Sequence, residues 1–259
     1  MTSSRFSQNN TTITWMTIKT TILLLLFPLV IFAHSGNPKY HVVIDTDGAV
    51  DDMRAISMFL SGNDIRVLAI TCSQGTLMPE QVYSKVHSLL ADFHHEGIRT
   101  GVSNPVDFEL PAWYGLSKSI KWGFYDDDEK KTEAQSSIDV LNQTLSGYKE
   151  KVILVALGSL KTYADWLKSN PQIIDKIDHI LWYNSHDIQK GFNNKISPAS
   201  FDFIKQLNID IKIVENSNRM AVNRHFLDNL DTSASMYARQ IAKVHTQKQV
   251  AEEIEEQHI

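Results

Sequence analysis

Residues 41–52 read HVVIDTDGAVDD. An apolar run over residues 41–44, rich in β-branched side chains, has the character of a buried strand. It delivers four carboxylates within eight positions: Asp45, Asp47, Asp51 and Asp52. Residues 51–60 (DDMRAISMFL) then place Met53, Ile56, Phe59 and Leu60 at helical spacing. A strand therefore feeds a helix, with the carboxylates at the junction. Acidic residues in a first helical turn gain about 0.3–1 kcal/mol each from the helix dipole. That accounts for one or two of the four. Like charges about 4 Å apart repel by ~1–4 kcal/mol at surface to intermediate dielectric. A cluster this dense calls for relief by a cation, by protonation or by solvent, and all-oxygen ligation suits Ca²⁺ or Mg²⁺.

The same alternation continues outward. Residues 65–71, 152–157, 179–183 and 209–214 read as apolar strands. Residues 79–93, 136–145, 160–168 and 198–206 read as helices, and Pro79 is suited to a first helical turn. Two further helical stretches, near 220–229 and 233–256, close the chain. Alternating strands and helices predict an α/β fold: an open, mostly parallel sheet with helices on both faces. Ligands of such sheets collect at the carboxyl ends of the strands, where the acidic cluster falls. Residues 103–132 break the rhythm. They hold Pro105, Pro111, Gly115 and Gly123 together with Trp113, Tyr114, Trp122, Phe124 and Tyr125, and read as a long aromatic loop.

The chain has 259 residues, 42% of them apolar, which suffices for one sizeable core. A net charge of −5 and the lack of a long basic stretch argue against a nucleic-acid partner. The one cysteine excludes an intramolecular disulfide framework. Residues 22–32 (ILLLLFPLVIF) follow Lys19 and precede Ala33-His34-Ser35, small residues at the positions a signal peptidase requires. Residues 1–35 thus read as a signal peptide, with Gly36 as the mature start and residues 1–15 as an upstream extension ahead of Met16. The expected location is secreted or periplasmic, with membrane contact only through that segment. Residues 36–259 form the expected α/β domain.

The opening DTDGAVDD resembles the Asp-Thr-Asp-x-Gly-x-Asp-Asp of the inosine–uridine-preferring nucleoside hydrolases, with Ala49 where the family has Gly. Later stretches are similar in order and spacing. ITCSQGT keeps Gly75 but has Thr76 for the usual Asn. VALGSLKTYA keeps Gly158, Leu160 and Ala164, and GFNNKISPAS keeps Phe192, Asn193 and Pro198. A strand ending Asp-x-Asp-Gly also opens haloacid-dehalogenase-like phosphatases, but the pair Asp51-Asp52 is foreign to them and no late acidic pair is evident.

The resemblance implies Ca²⁺-dependent hydrolysis of the N-glycosidic bond of a small-molecule ribonucleoside, releasing base and ribose. It assigns Asp47 and Asp52 as metal ligands, Asp47 also as the base that takes a proton from water, and Asp51 and Asn193 as ribose contacts. Lys161 stands where a Thr usually gives its backbone carbonyl to the metal. Trp113, Tyr114 and Trp122 are candidates for stacking on the base. Other positions depart from the pattern. Gly191 replaces a ribose-binding Glu, Ser197 replaces an Asp, and the loop at 105–125 lacks its His. The late metal-ligating Asp of the family has no counterpart after Val214. The expectation is therefore a domain incomplete at its C-terminus, with impaired activity and with Ile241, Val244 and Val250 partly uncovered. A phosphatase and a non-catalytic sugar or nucleoside binder are the alternatives. Base preference and homo-oligomerisation stay open.

Overall fold

The run that ends in the carboxylates lies at the centre of the sheet. The structure, a computed structural model, describes residues 38–123, 134–215, 224–231, 235–245 and 247. The expected signal peptide, Phe124 and Tyr125, and the end of the last helix with Val250 lie outside the described residues. Strand β1 (Tyr40–Thr46) pairs in parallel with β2 (Ile65–Cys72) on one side and β4 (Val152–Ala156) on the other. Strands β3 (Arg99–Val102), β5 (Ile177–Tyr183) and β6 (Ile211–Val214) extend the sheet to six parallel strands in the order β3-β2-β1-β4-β5-β6. The chain walks outward from β1 to β3 and returns to the far side of β1 as β4. The order thus reverses between β1 and β4, the place where an open α/β sheet leaves a crevice above its strand ends.

Side chains alternate across the pleat. Val42 and Ile44 enter one core with Met53 and Ile56 of α1 (Val50–Ser61), Val82, Val86 and Leu89 of α2 (Pro79–Asp92), and buried Trp122. Val43 enters the other with Val140 and Leu141 of α4 (Ser137–Leu145) and Tyr163 and Trp166 of α5 (Lys161–Ser169). Helices therefore cover both faces. Between α2 and α4, the expected aromatic loop contains a short helix, α3 (Tyr114–Ser119). After β5 come α6 (Phe192–Ile196) and α7 (Pro198–Gln206), and after β6 come α8 (Arg224–Asp231) and α9 (Met236–His245).

Two expectations are corrected. Ile241 and Val244 are not left uncovered: α9 packs on α1, and the two residues are 8% and 0% exposed. Strand β3 was not anticipated, because Arg99-Thr100-Gly101-Val102 is too short and too mixed to carry a strand signal. Among the described residues no helix is long and apolar enough to cross a membrane.

Candidate active site

The β1–α1 turn is bonded to itself. The Thr46 hydroxyl and the Asp47 N–H both donate to Asp52 Oδ2, at 2.8 and 3.1 Å. The Gly48 N–H donates to Thr46 Oγ1 (3.1 Å) and the Ala49 N–H to Asp47 Oδ1 (3.2 Å). Gly48 takes φ +78°, a left-handed conformation that favours glycine. Ala49, the departure from the family pattern, sits at φ −61° and needs no glycine.

This network buries the charge. Asp45, Asp47 and Asp52 are 0%, 2% and 3% exposed. Burial pushes Asp45 up to about 7, against hydrogen bonds from Thr71 (2.6 Å), Ser73 (2.8 Å) and Thr162, and the Asp47 charge adds to the rise. Burial pushes Asp47 up to about 6, against hydrogen bonds from Thr76 and Ala49, with Asp51 adding to the rise. Asp52 is raised well above the carboxylate range by burial and by the charges of Asp47 and Asp51. Three carboxylates held this way take up protons more readily than ordinary carboxylates, and a bound cation would favour their charged forms.

The carboxylates share a pocket. A cavity of about 470 Å³ is lined on the β1–α1 side by Asp47, Asp51 and Asp52, and Asp51 is its exposed member. The opposite wall carries Tyr183 at the end of β5, then Asn184, Ser185, Gly191 and Asn193, with Glu215 beyond β6. Tyr183 is hydrogen-bonded to Asp51. Its phenol is pushed up to about 12 by burial, by the Asp51 charge and by that bond. Asn193 Nδ2 donates to the carbonyls of Leu157 (2.6 Å) and Tyr183 (2.8 Å), tying the ends of β4 and β5 together. The Oδ1 atoms of Asn193 and Asn184 are buried and accept no hydrogen bond. The residues line the cavity, but these two oxygens are themselves enclosed by protein, that of Asn184 against Gly191.

Lys161 is not brought to this cavity. Its ammonium pairs with Asp165 at 2.5 Å, beside a separate small cavity lined by Ser73, Ser103 and Thr162. Of the aromatic candidates, Trp113 lines the main cavity, packs on Phe192 (centroids 5.0 Å apart) and donates from Nε1 to Thr76 Oγ1 (3.2 Å). Trp122 is in the core, and the Tyr114 hydroxyl accepts from Gln81 Nε2 (3.0 Å), so both are structural. His95 bonds to the Tyr237 hydroxyl (2.7 Å) and pins α9. Tyr183, Asn184, Ser185 and Glu215 did not stand out in the sequence. The only available signal was that each follows or ends an apolar strand, at the edge where a parallel sheet collects its ligands.

The donors are oxygen throughout and carry buried negative charge, which suits a hard cation in kind. Asp47 and Asp52 are the buried acidic groups that line the cavity and could reach it. Among the described residues no three His, Cys, Asp or Glu side chains form a metal-binding group. Water or substrate oxygens would have to complete the six to eight ligands usual for Ca²⁺.

A doubly wound sheet with a buried acidic turn at its switch point is the architecture that this chain shares with nucleoside hydrolases. The structure overlays a plant nucleoside hydrolase (TM-score 0.65, 21% identity, covering 85% of this chain and 74% of that one). It also overlays a purine-preferring ribonucleoside hydrolase from Gardnerella vaginalis (0.66, 18%, 84% and 73%) and an inosine–uridine-preferring nucleoside hydrolase from Bacillus anthracis (0.62, 15%, 80% and 75%). The family model for inosine–uridine-preferring nucleoside hydrolases matches residues 42–186, and the chain belongs to that family. It is also 22% identical over 172 residues to an uncharacterised protein of Schizosaccharomyces pombe, covering 65% of this chain. The chain spans about half (51%) of the length of that relative.

Proposed function

We propose that the protein hydrolyses the N-glycosidic bond of ribonucleosides, releasing free base and ribose, with Ca²⁺ held by Asp47 and Asp52. The observation that carries this reading is the acidic turn, Asp47, Asp51 and Asp52, lining one cavity with Tyr183 and Asn193 on its opposite wall. When bound, the ion would supply Lewis-acid activation of the attacking water and a positive charge for the sugar hydroxyls.

The protein's own groups do the rest. Asp47 takes the proton of the attacking water, a task suited to a carboxyl raised toward neutrality. Asp51 accepts hydrogen bonds from the ribose hydroxyls, with Tyr183 already holding the carboxylate in place. Asn193, which lines the facing wall, contacts the ribose. The negative charge around the sugar stabilises an oxocarbenium-like transition state. Trp113 and Phe192 offer aromatic surface to the base. With two acidic ligands among the described residues the ion is held weakly, so turnover should climb with Ca²⁺ concentration well beyond stoichiometric loading. The apolar segment at residues 22–32 supports a secreted or periplasmic site of action.

The test is an assay of free-base release from purine and pyrimidine nucleosides with Ca²⁺ and with a chelator, run beside phosphate release from phosphomonoesters. Base release that the chelator abolishes is the expected result. Phosphate release without base release overturns the reading. Tight binding of nucleoside with no turnover would instead indicate a binding protein.

A further inference from the structure

Lys85 of α2 is 1% exposed, although none of the proposed chemistry uses it and it does not line the main cavity. Burying an ammonium is costly unless its donors are engaged. Here Nζ donates to the carbonyls of Lys118 (2.9 Å) and Ile120 (2.6 Å). These carbonyls close α3, and the last carbonyls of a helix have no partner within it. At six residues α3 is too short to persist by itself, so its shape depends on such anchors.

The rest of that α2 face grips the same segment. Gln81, one turn before Lys85, donates from Nε2 to the Tyr114 hydroxyl at 3.0 Å. Ser88 backs onto Gly123, where an added β-carbon would fall 2.4 Å from the Ser88 carbonyl oxygen. Positions 81, 85 and 88 follow the i, i+4, i+7 spacing of one helix face. Residues 114–123 meet that face at both ends and at Lys118 to Ile120, and Trp113, immediately before them, lines the cavity. The root of α2 is tied to the acidic turn. The Leu77 N–H donates to the Asp47 carbonyl at 3.1 Å, and a β-carbon on Gly48 would fall 3.0 Å from Val82. One helix therefore sets the aromatic segment at a fixed place relative to the carboxylates.

We infer that Lys85 is a positioning residue for base recognition, with Gln81 as its companion one turn earlier. Together they hold α3 on α2 and so keep Trp113 at the cavity, where a base can stack while the ribose meets Asp51. This inference rests on the hydrolase reading above. The far end of the segment is held separately, because Gln240 of α9 donates to the Trp122 carbonyl at 2.7 Å. Loss of the Lys85 bonds therefore loosens α3 without freeing the whole segment.

The experiment compares wild type, Lys85→Met, Trp113→Ala and the double variant in Ca²⁺ buffer, with inosine, uridine and free ribose as probes. Lys85→Met should raise KM for the nucleosides about 10-fold, the order expected for lost hydrogen bonds from a charged group. It should lower kcat less and leave the affinity for ribose at the wild-type level. In the Trp113→Ala background the same change should add less than about twofold, because residues that act as one unit are not additive. A role confined to stability would lower the melting temperature and leave KM in place. Unchanged KM, a rise that adds in full to that of Trp113→Ala, or an equal loss of ribose affinity in a folded Lys85→Met variant overturns this inference alone. Should Lys85→Met fail to fold, Tyr114→Phe decides, since it removes the Gln81 bond and keeps the ring. A KM rise of about 3-fold for nucleosides, absent in the Trp113→Ala background, supports the inference, and an unchanged KM overturns it. A wild-type protein that neither binds nor cleaves either nucleoside overturns it together with the hydrolase reading.

Discussion

Gly75 lies against Asp47 so closely that a β-carbon on it would fall 2.2 Å from the carboxylate Oδ2. On the other side a β-carbon on Gly158 would come within 3.2 Å of Asp47 Cβ. The two glycines, from the turns after β2 and β4, confine one carboxylate to a single position. Gly75→Ala should push Asp47 out of that position, at about 1–3 kcal/mol of overpacking. Base release and Ca²⁺ affinity should both fall sharply while the circular dichroism spectrum stays native. Wild-type Ca²⁺ affinity in Gly75→Ala would show that the position of Asp47 does not matter to the ion.

The buried carboxylates give the metal-free protein an unusual pH dependence. Asp45 and Asp47 are raised to about 7 and about 6 in the folded chain, from about 3.8. The folded state therefore binds more protons than the unfolded state between those limits. The stabilisation is complete below about pH 3.8 and is lost as pH rises through about 6 to 7. In chelator, the contribution of these groups should lower the melting temperature between pH 5 and pH 7.5. Ca²⁺ should recover it at pH 7.5 and do little at pH 5, where protons compete. A melting temperature insensitive to Ca²⁺ at both pH values would count against a cation at the acidic turn.

The neighbours Asp51 and Asp52 should separate by function. Asp52 is buried and bonded to the turn, whereas Asp51 is exposed to the cavity and to Tyr183. Asp52→Ala should abolish Ca²⁺ binding, as read by calorimetry. Asp51→Ala should weaken ribose binding about 10- to 100-fold, the loss of a hydrogen bond to a charged group, and affect Ca²⁺ far less. Equal Ca²⁺ affinity in wild type and Asp52→Ala would refute the ligand assignment.

Trp113 joins the aromatic wall to the acid, because its indole N–H reaches Thr76, which is itself bonded to Asp47. Trp113→Ala should lose the stacking of a base, worth about 1–3 kcal/mol. The loss should appear as a higher KM for nucleosides with no change in the affinity for free ribose. An equal loss for both would mean that the residue supports the turn rather than the base.

Much of this was legible in the sequence because it is local. The acidic turn, its strand and its helix occupy one continuous stretch, and the bonds that build it join residues at most six apart. The glycines at 75 and 158 were visible as motif letters, but their reason, the carboxylate between them, is a tertiary contact. The opposite wall was opaque. Tyr183, Asn184 and Glu215 come to share a cavity with Asp51 only through the strand order, and nothing in their local pattern sets them apart from ordinary strand-end residues. Trp122 and Tyr114 were indistinguishable from Trp113 by type, and only packing sorts the cavity residue from the structural ones. Lys161 stands where the family pattern has a Thr expected to act through its backbone carbonyl, so the pairing of its ammonium with Asp165 bears on the side chain alone.

The turn between β1 and α1 is bonded within itself and braced by the turns after β2 and β4, while the wall facing it is borne by the segments after β5 and β6. Evolution can therefore redraw what enters the cleft, by exchanging residues such as Gly191, Asn184 and Glu215, without rebuilding the part that would cut the bond.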